Sequence, residues 1–289
     1  MPWAKLIAVV NAGAGSEAVV RTALRLGKTF SARVELLHVE TVAGAALPVV
    51  AEGLTAGAFE QIVGHLEEEI EVSRQAAEVL YRVHCVEAGL PVCAPDDPAE
   101  PGAFRVAFRC ERGRKADEVA RRGRLADLVL LAGTSLSEDG GFAPAIEAAI
   151  FETGRPLLMV PETPPEALGR VVAVAWDGTM EAARAVNAAL PLLARAEKVF
   201  VLTADMEKAH AKPSEIAGYL AEHGVAAQTW AFMPGDGPLG EVLLAEAGES
   251  GADMLVMGAY GHSRLREMVL GGVTHSVTAT ATIPVLMAH

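Results

Sequence analysis

The chain is poor in the residues that would tie it to an oxidising compartment, a membrane or a nucleic acid. It has three cysteines, Cys85, Cys93 and Cys110, and they form no C-x-x-C pair. An odd, widely spaced set excludes a disulfide framework or a structural zinc cluster and points to a reducing compartment. Met1-Pro-Trp-Ala-Lys-Leu-Ile leads into a strand-like run without the charged start and apolar core of a secretory leader. The expectation is therefore a cytoplasmic protein. No apolar run reaches about 18 residues unbroken, so no membrane span is expected. Lys and Arg number 24 against 37 Asp and Glu, a formal net charge of −13. That balance argues against a nucleic-acid partner, because affinity for phosphate backbones comes from basic residues. The chain also lacks a G-x-x-x-x-G-K-[ST] loop and a G-x-S-x-G elbow, and no base stands beside a nucleophile. An enzymatic role thus has no named catalytic residue.

What is present is repetition. At 289 residues and 51% hydrophobic, the chain suits one large domain or two ordinary ones. Lys5-Leu-Ile-Ala-Val-Val10 precedes a helical stretch from Ala18 to Phe30 and then Val34-Glu-Leu-Leu-His-Val39. Arg170-Val-Val-Ala-Val-Ala175 precedes a helical stretch from Ala182 to Ala194 and then Val199-Phe-Val-Leu202. Asp127-Leu-Val-Leu-Leu131 with Arg155-Pro-Leu-Leu-Met-Val160 has its counterpart in Asp253-Met-Leu-Val-Met257 with Ile283-Pro-Val-Leu-Met287. Uniformly apolar strands alternating with helices indicate parallel sheets buried on both faces. Pro161-Glu-Thr-Pro-Pro-Glu166 reads as a stiff linker. The first half carries an insert with a long helix, roughly Ala58 to Val83, whose Glu67-Glu-Glu-Ile-Glu71 run reads as a solvated face.

The most informative stretch lies near the C-terminus. Met257 ends an apolar run, and Gly258, Gly261, Gly271, Gly272, Val273 and Thr274 follow in the order Gly-x2-Gly-x9-Gly-Gly-Val-Thr. Glycines let a backbone approach a ligand, and a helix N-terminus offers unpaired N–H groups to an anion. Two ordinary turns flanking a helix would produce the same spacing. The first half has Ala132 for Gly258, a loop two residues shorter, and Ala143 and Pro144 for Gly271 and Gly272. Pro144 has no N–H to give. Gly13 falls opposite Asp177.

The tandem order, the Ala175-Trp-Asp-Gly-Thr179 strand end, the glycine pattern and the final strand after Ile283-Pro284 resemble the universal stress protein family. The family pattern has Ser or Thr where this chain has Gly272, and Thr274 supplies a hydroxyl two residues on. The resemblance implies an α/β fold of two tandem Rossmann-like domains of the adenine nucleotide alpha hydrolase-like type. Each is a five-stranded parallel sheet with flanking helices. Residues 1–164 would form a degenerate domain and residues 165–289 the nucleotide-binding one. The halves would pair within the chain, with homodimerisation open. The ligand implied is ATP, ADP or AMP, with or without Mg²⁺, held for regulation or stress sensing.

Asp177 would meet the adenine, or would cap the helix starting near Met180. Trp176 would stack on the base or pack on the sheet. Ala175, Leu202 and Thr203 would wall the base pocket, and Met257 with the glycines and Thr274 would hold ribose and phosphates. His262 and His275 have no third partner at a metal-ligand spacing, and Arg264 and Arg266 read as surface residues. Two other classes remain: a protein-interaction module without nucleotide, and a nucleotide-using enzyme on a related fold.

Overall fold

A computed structural model describes residues 2–12, 15–41, 56–98, 100–133, 144–164, 166–204, 212–235, 237–260 and 272–289. The chain forms two compact units. The N-terminal unit comprises Trp3–Leu131 with Pro144–Thr153, and the C-terminal unit holds Gly154–His289 with Ala132 and Gly133.

In the N-terminal unit, β1 (Lys5–Val9), β2 (Arg33–Glu40), β3 (Arg105–Arg112) and β4 (Leu128–Ala132) lie in the order β3-β2-β1-β4, all parallel. Leu6, Ile7, Ala8, Leu36, Leu128 and Val129 are fully buried, as a sheet covered on both faces requires. Helix α1 (Ser16–Phe30) places Val19, Val20, Ala23, Leu24 and Phe30 on one buried face. Gly27 lets that face close on the sheet, since a Cβ there would stand 2.4 Å from Val34 Cγ2. Helix α2 (Ala56–Tyr81) continues into a π-helical turn (Arg82–Val86), and α3 (Lys115–Gly123) and α4 (Pro144–Phe151) complete the unit.

In the C-terminal unit, β6 (Val171–Ala175), β7 (Lys198–Ala204), β8 (Ala227–Phe232), β9 (Met254–Gly258) and β10 (Val285–Ala288) run parallel in the order β10-β9-β6-β7-β8. The helices are α5 (Met180–Leu193), α6 (Pro213–Glu222), α7 (Leu239–Glu249) and α8 (Gly272–Thr280). Strand β5 (Leu157–Val160), which closes the first half in sequence, pairs antiparallel with β10 in this unit, Leu158 opposite Leu286.

The repeat is visible in small details. Asp127 at the foot of β4 accepts from Ala4 N (2.7 Å) and Lys5 N (3.0 Å). Asp253 at the foot of β9 accepts from Gly169, Arg170 and Val171 N at 2.5–3.3 Å. Ala8 pairs with Leu130 as Val174 pairs with Val256, which sets Ala132 against Gly258 as expected. Pro144 opens α4 as Gly272 opens α8. One expected correspondence is corrected. Val9 pairs with Leu37 as Ala175 pairs with Leu202, so Asn11, not Gly13, is the counterpart of Asp177. The turns after the two first strands differ in length, so the helix starts could not serve as rulers.

Candidate functional site

Ala175, Leu202, Thr203, Met257 and Gly258 lie at the carboxyl ends of β6, β7 and β9, where open α/β sheets take ligands. Ala175 ends β6 half-buried, and Trp176 follows, its N–H donating to Leu202 O at 2.9 Å. This bond keeps β6 and β7 together to their tips. Leu202 is buried, and so is Thr203, whose Oγ1 has no hydrogen-bond partner. An orphaned buried hydroxyl is unusual and marks a place where a partner is missing.

Asp177 is exposed. Its Oδ1 accepts from Thr179 N (3.0 Å) and Thr179 Oγ1 (2.7 Å), a local turn that Asp favours. The cap of α5 is Thr179 itself, whose Oγ1 accepts from Ala182 N at 3.2 Å. Asp177 therefore braces the cap instead of forming it, and its Oδ2 accepts no hydrogen bond from the described residues. Thr179 was missed as a site-forming residue, although a Thr before a helical run is a recognisable N-cap signal.

Met257 is buried at the end of β9, and Gly258 follows half-buried. A Cβ on Gly258 would lie 2.5 Å from Ala182 N and 2.7 Å from Glu181 C. Packing against the start of α5 is thus a sufficient reason for this glycine. Gly272, the first residue of α8, is exposed, and a Cβ there would meet nothing within 4 Å. Val273 is half-buried, and the buried Thr274 accepts from Tyr260 N at 3.4 Å through its Oγ1. Tyr260 has φ 60°, a left-handed backbone that costs a bulky residue of the order of 1–3 kcal/mol. Such strain sits most often at ligand sites. Gly240 on α7 lets α8 close in, since a Cβ there would lie 2.8 Å from both Val273 O and Ser276 Cβ. Gly261, Gly271, His262, Arg264 and Arg266 lie outside the described residues. His275 is half-buried on α8. Among the described residues no group of three His, Cys, Asp or Glu is placed to hold a metal ion, and no helix is long and apolar enough to cross a membrane.

Residues 232–289 match the model of the universal stress protein family. A stretch of 69 residues is 40% identical to Universal stress protein YxiE of Bacillus subtilis (strain 168), covering 24% of this chain and 45% of that protein's length. A universal stress protein from Archaeoglobus fulgidus DSM 4304 superposes with a TM-score of 0.64 at 15% identity, over 98% of this chain and 95% of that one. A functionally unknown protein from Pseudomonas aeruginosa PAO1 gives 0.56 at 13% identity, over 99% and 92%. The C-terminal segment is thus similar to universal stress proteins, and the α/β fold of the two superposed structures extends over nearly the whole chain.

Proposed function

We propose that this chain is a tandem universal stress protein whose second half, residues 165–289, binds one adenine nucleotide as a regulatory or sensing ligand. The first half, residues 1–164, is the degenerate partner and binds no adenine nucleotide. The observation that carries the reading is the buried, unpartnered Thr203 hydroxyl near the carboxyl end of β7, the strand next to β6 whose end leads into Trp176 and Asp177. In this reading Ala175, Trp176, Leu202 and Thr203 enclose the base, and Asp177 accepts from its amino group. Met257, Gly258 and Gly261 follow the ribose, and the N–H groups around Gly271, Gly272 and Val273, with Thr274, meet the phosphates. The backbone cradle suits ATP, ADP or AMP, with Mg²⁺ neutralising the longer phosphate chains when present. The reading places the protein in the cytoplasm.

Isothermal titration of the full chain with ATP tests it. One equivalent per chain is expected, with weaker binding in Thr203→Val. Two equal sites would refute the asymmetry. No affinity for any adenine nucleotide would favour the interaction-module reading, for which the packing explanation of Gly258 is the specific support.

A further inference from the structure

The parallel sheet of each unit ends on an edge strand, β3 in the N-terminal unit and β8 in the C-terminal unit. An edge strand presents a row of unpaired N–H and C=O groups, and proteins guard it with charge, proline or a covering segment. Strand β3 is guarded. Its outer side is met by the segment from Pro91 to Cys93, with Val106 N donating to Pro91 O and Cys93 N to Val106 O, both at 2.9 Å. It also carries Arg105, Arg109, Glu111 and Arg112. Strand β8, Ala227-Gln-Thr-Trp-Ala-Phe232, has no charged residue and no proline.

The ladder fixes which backbone groups of β8 stay open. Trp176 N donates to Leu202 O, so the backbone groups of Leu202 point to β6. That direction alternates along a strand, so Val201 and Thr203 turn theirs to β8. The register pairs Val201 with Thr229 and Thr203 with Ala231. In a parallel ladder the residue opposite one that bonds inward points its own groups the other way, so the N–H and C=O of Thr229 and Ala231 face away from β7. Both residues are exposed, and among the described residues no strand or loop backbone bonds to them on that side. The strand is braced from one face. Trp230 Nε1 donates to Glu246 Oε2 on α7 at 2.7 Å, and the indole meets Phe200 in a T-shaped contact at 5.8 Å.

The surroundings of this edge have one sign of charge. Helix α6 packs on β8, and α7 follows it in the chain. Glu215 and Glu222 on α6 and Glu241 and Glu249 on α7 are exposed. Lys212 pairs with Glu215 at 3.3 Å, and from Pro213 to Gly251 the sequence has no Lys or Arg. Pairing two copies through β8 would bring these acidic flanks together, in a chain whose formal net charge is already −13. We infer that β8 is a docking edge that takes an extended, Lys- or Arg-bearing segment of another protein as an added strand. Thr229 and Ala231 supply the main-chain hydrogen bonds, and the acidic flanks select the sign of the partner.

The test is fluorescence anisotropy of a labelled octapeptide of alternating Thr and Lys, capped at both ends and titrated with the full chain at low salt. Saturable binding is expected, weakening as salt is added. The Thr-Glu counterpart should not bind. The Thr-Lys peptide N-methylated at two successive central amides keeps its charge but cannot pair on either edge there, and should bind about tenfold more weakly. Ala231→Pro removes an outward N–H and leaves the β7 ladder intact, with the same expected loss. Thr229→Lys keeps the backbone donor and repels the peptide, so it decides the matter if circular dichroism shows Ala231→Pro to be unfolded. Absence of saturable Thr-Lys binding, equal binding of the Thr-Glu or N-methylated peptide, or unchanged binding in the folded variants would each overturn the assignment. A dimer in sedimentation that Ala231→Pro dissociates would overturn it too, by giving the edge to a second copy.

Discussion

Gly258 and Gly272 belong to one sequence pattern, yet the structure predicts opposite consequences for replacing them. In Gly258→Ala the new methyl would stand 2.5 Å from Ala182 N and 2.7 Å from Glu181 C. Both are backbone atoms at the first turn of α5, so neither can swing aside as a side-chain tip would. The helix must shift by several tenths of an ångström, and overpacking of this kind costs about 1–3 kcal/mol. Gly272→Val meets open space. Its backbone is helical and not left-handed, so its effect on stability should stay within about 0.5 kcal/mol. The Val side chain would occupy the mouth of α8, where the phosphates are proposed to sit, and ATP affinity should fall by an order of magnitude or more. Urea unfolding followed by circular dichroism gives the first quantity and ATP calorimetry the second. A Gly258→Ala protein as stable as the parent would show that α5 does not press on β9 as described. A Gly272→Val protein that binds ATP like the parent would remove α8 from the phosphate site.

Thr203→Val keeps the shape and removes an unpartnered hydroxyl, so unfolding should show equal or higher stability, while ATP should bind about fivefold more weakly. Asp253→Ala strands three backbone N–H groups and should cost about 3 kcal/mol or more in urea unfolding, against a smaller loss for Asp127→Ala with its two. His38 is held neutral by burial, so the unfolded chain binds its proton first as pH falls. Its contribution is present above the ordinary value of 6.5 and is lost below it, and His38→Asn should flatten that part of the stability–pH curve. Burial pushes the Cys85 thiol up to about 11, which leaves about a thousandth of it as thiolate at pH 8. Iodoacetamide should therefore modify Cys85 in the folded chain far more slowly than in the urea-unfolded one, as peptide mapping would report.

The sequence by itself determined the strands that are buried on both faces. Runs such as Leu6-Ile-Ala-Val9 and Met254-Leu-Val-Met257 have no polar face to offer solvent, so only a covered parallel sheet accommodates them. It also determined the repeat and the helix that begins at Gly272. Strands β3 and β8 escaped it, because these edge strands mix polar or charged residues with apolar ones, as in Arg105-Val-Ala-Phe-Arg-Cys-Glu-Arg112 and Ala227-Gln-Thr-Trp-Ala-Phe232. Other outcomes depend on contacts between residues far apart in the chain. The antiparallel match of β5 to β10 is a choice of partner that no local pattern encodes. Register against β2 and β7 decided that Asn11 stands for Asp177. Thr179 and not Asp177 caps α5 because the cap depends on which oxygen reaches Ala182 N. Gly258 stands against a helix backbone whose position is set by the whole sheet.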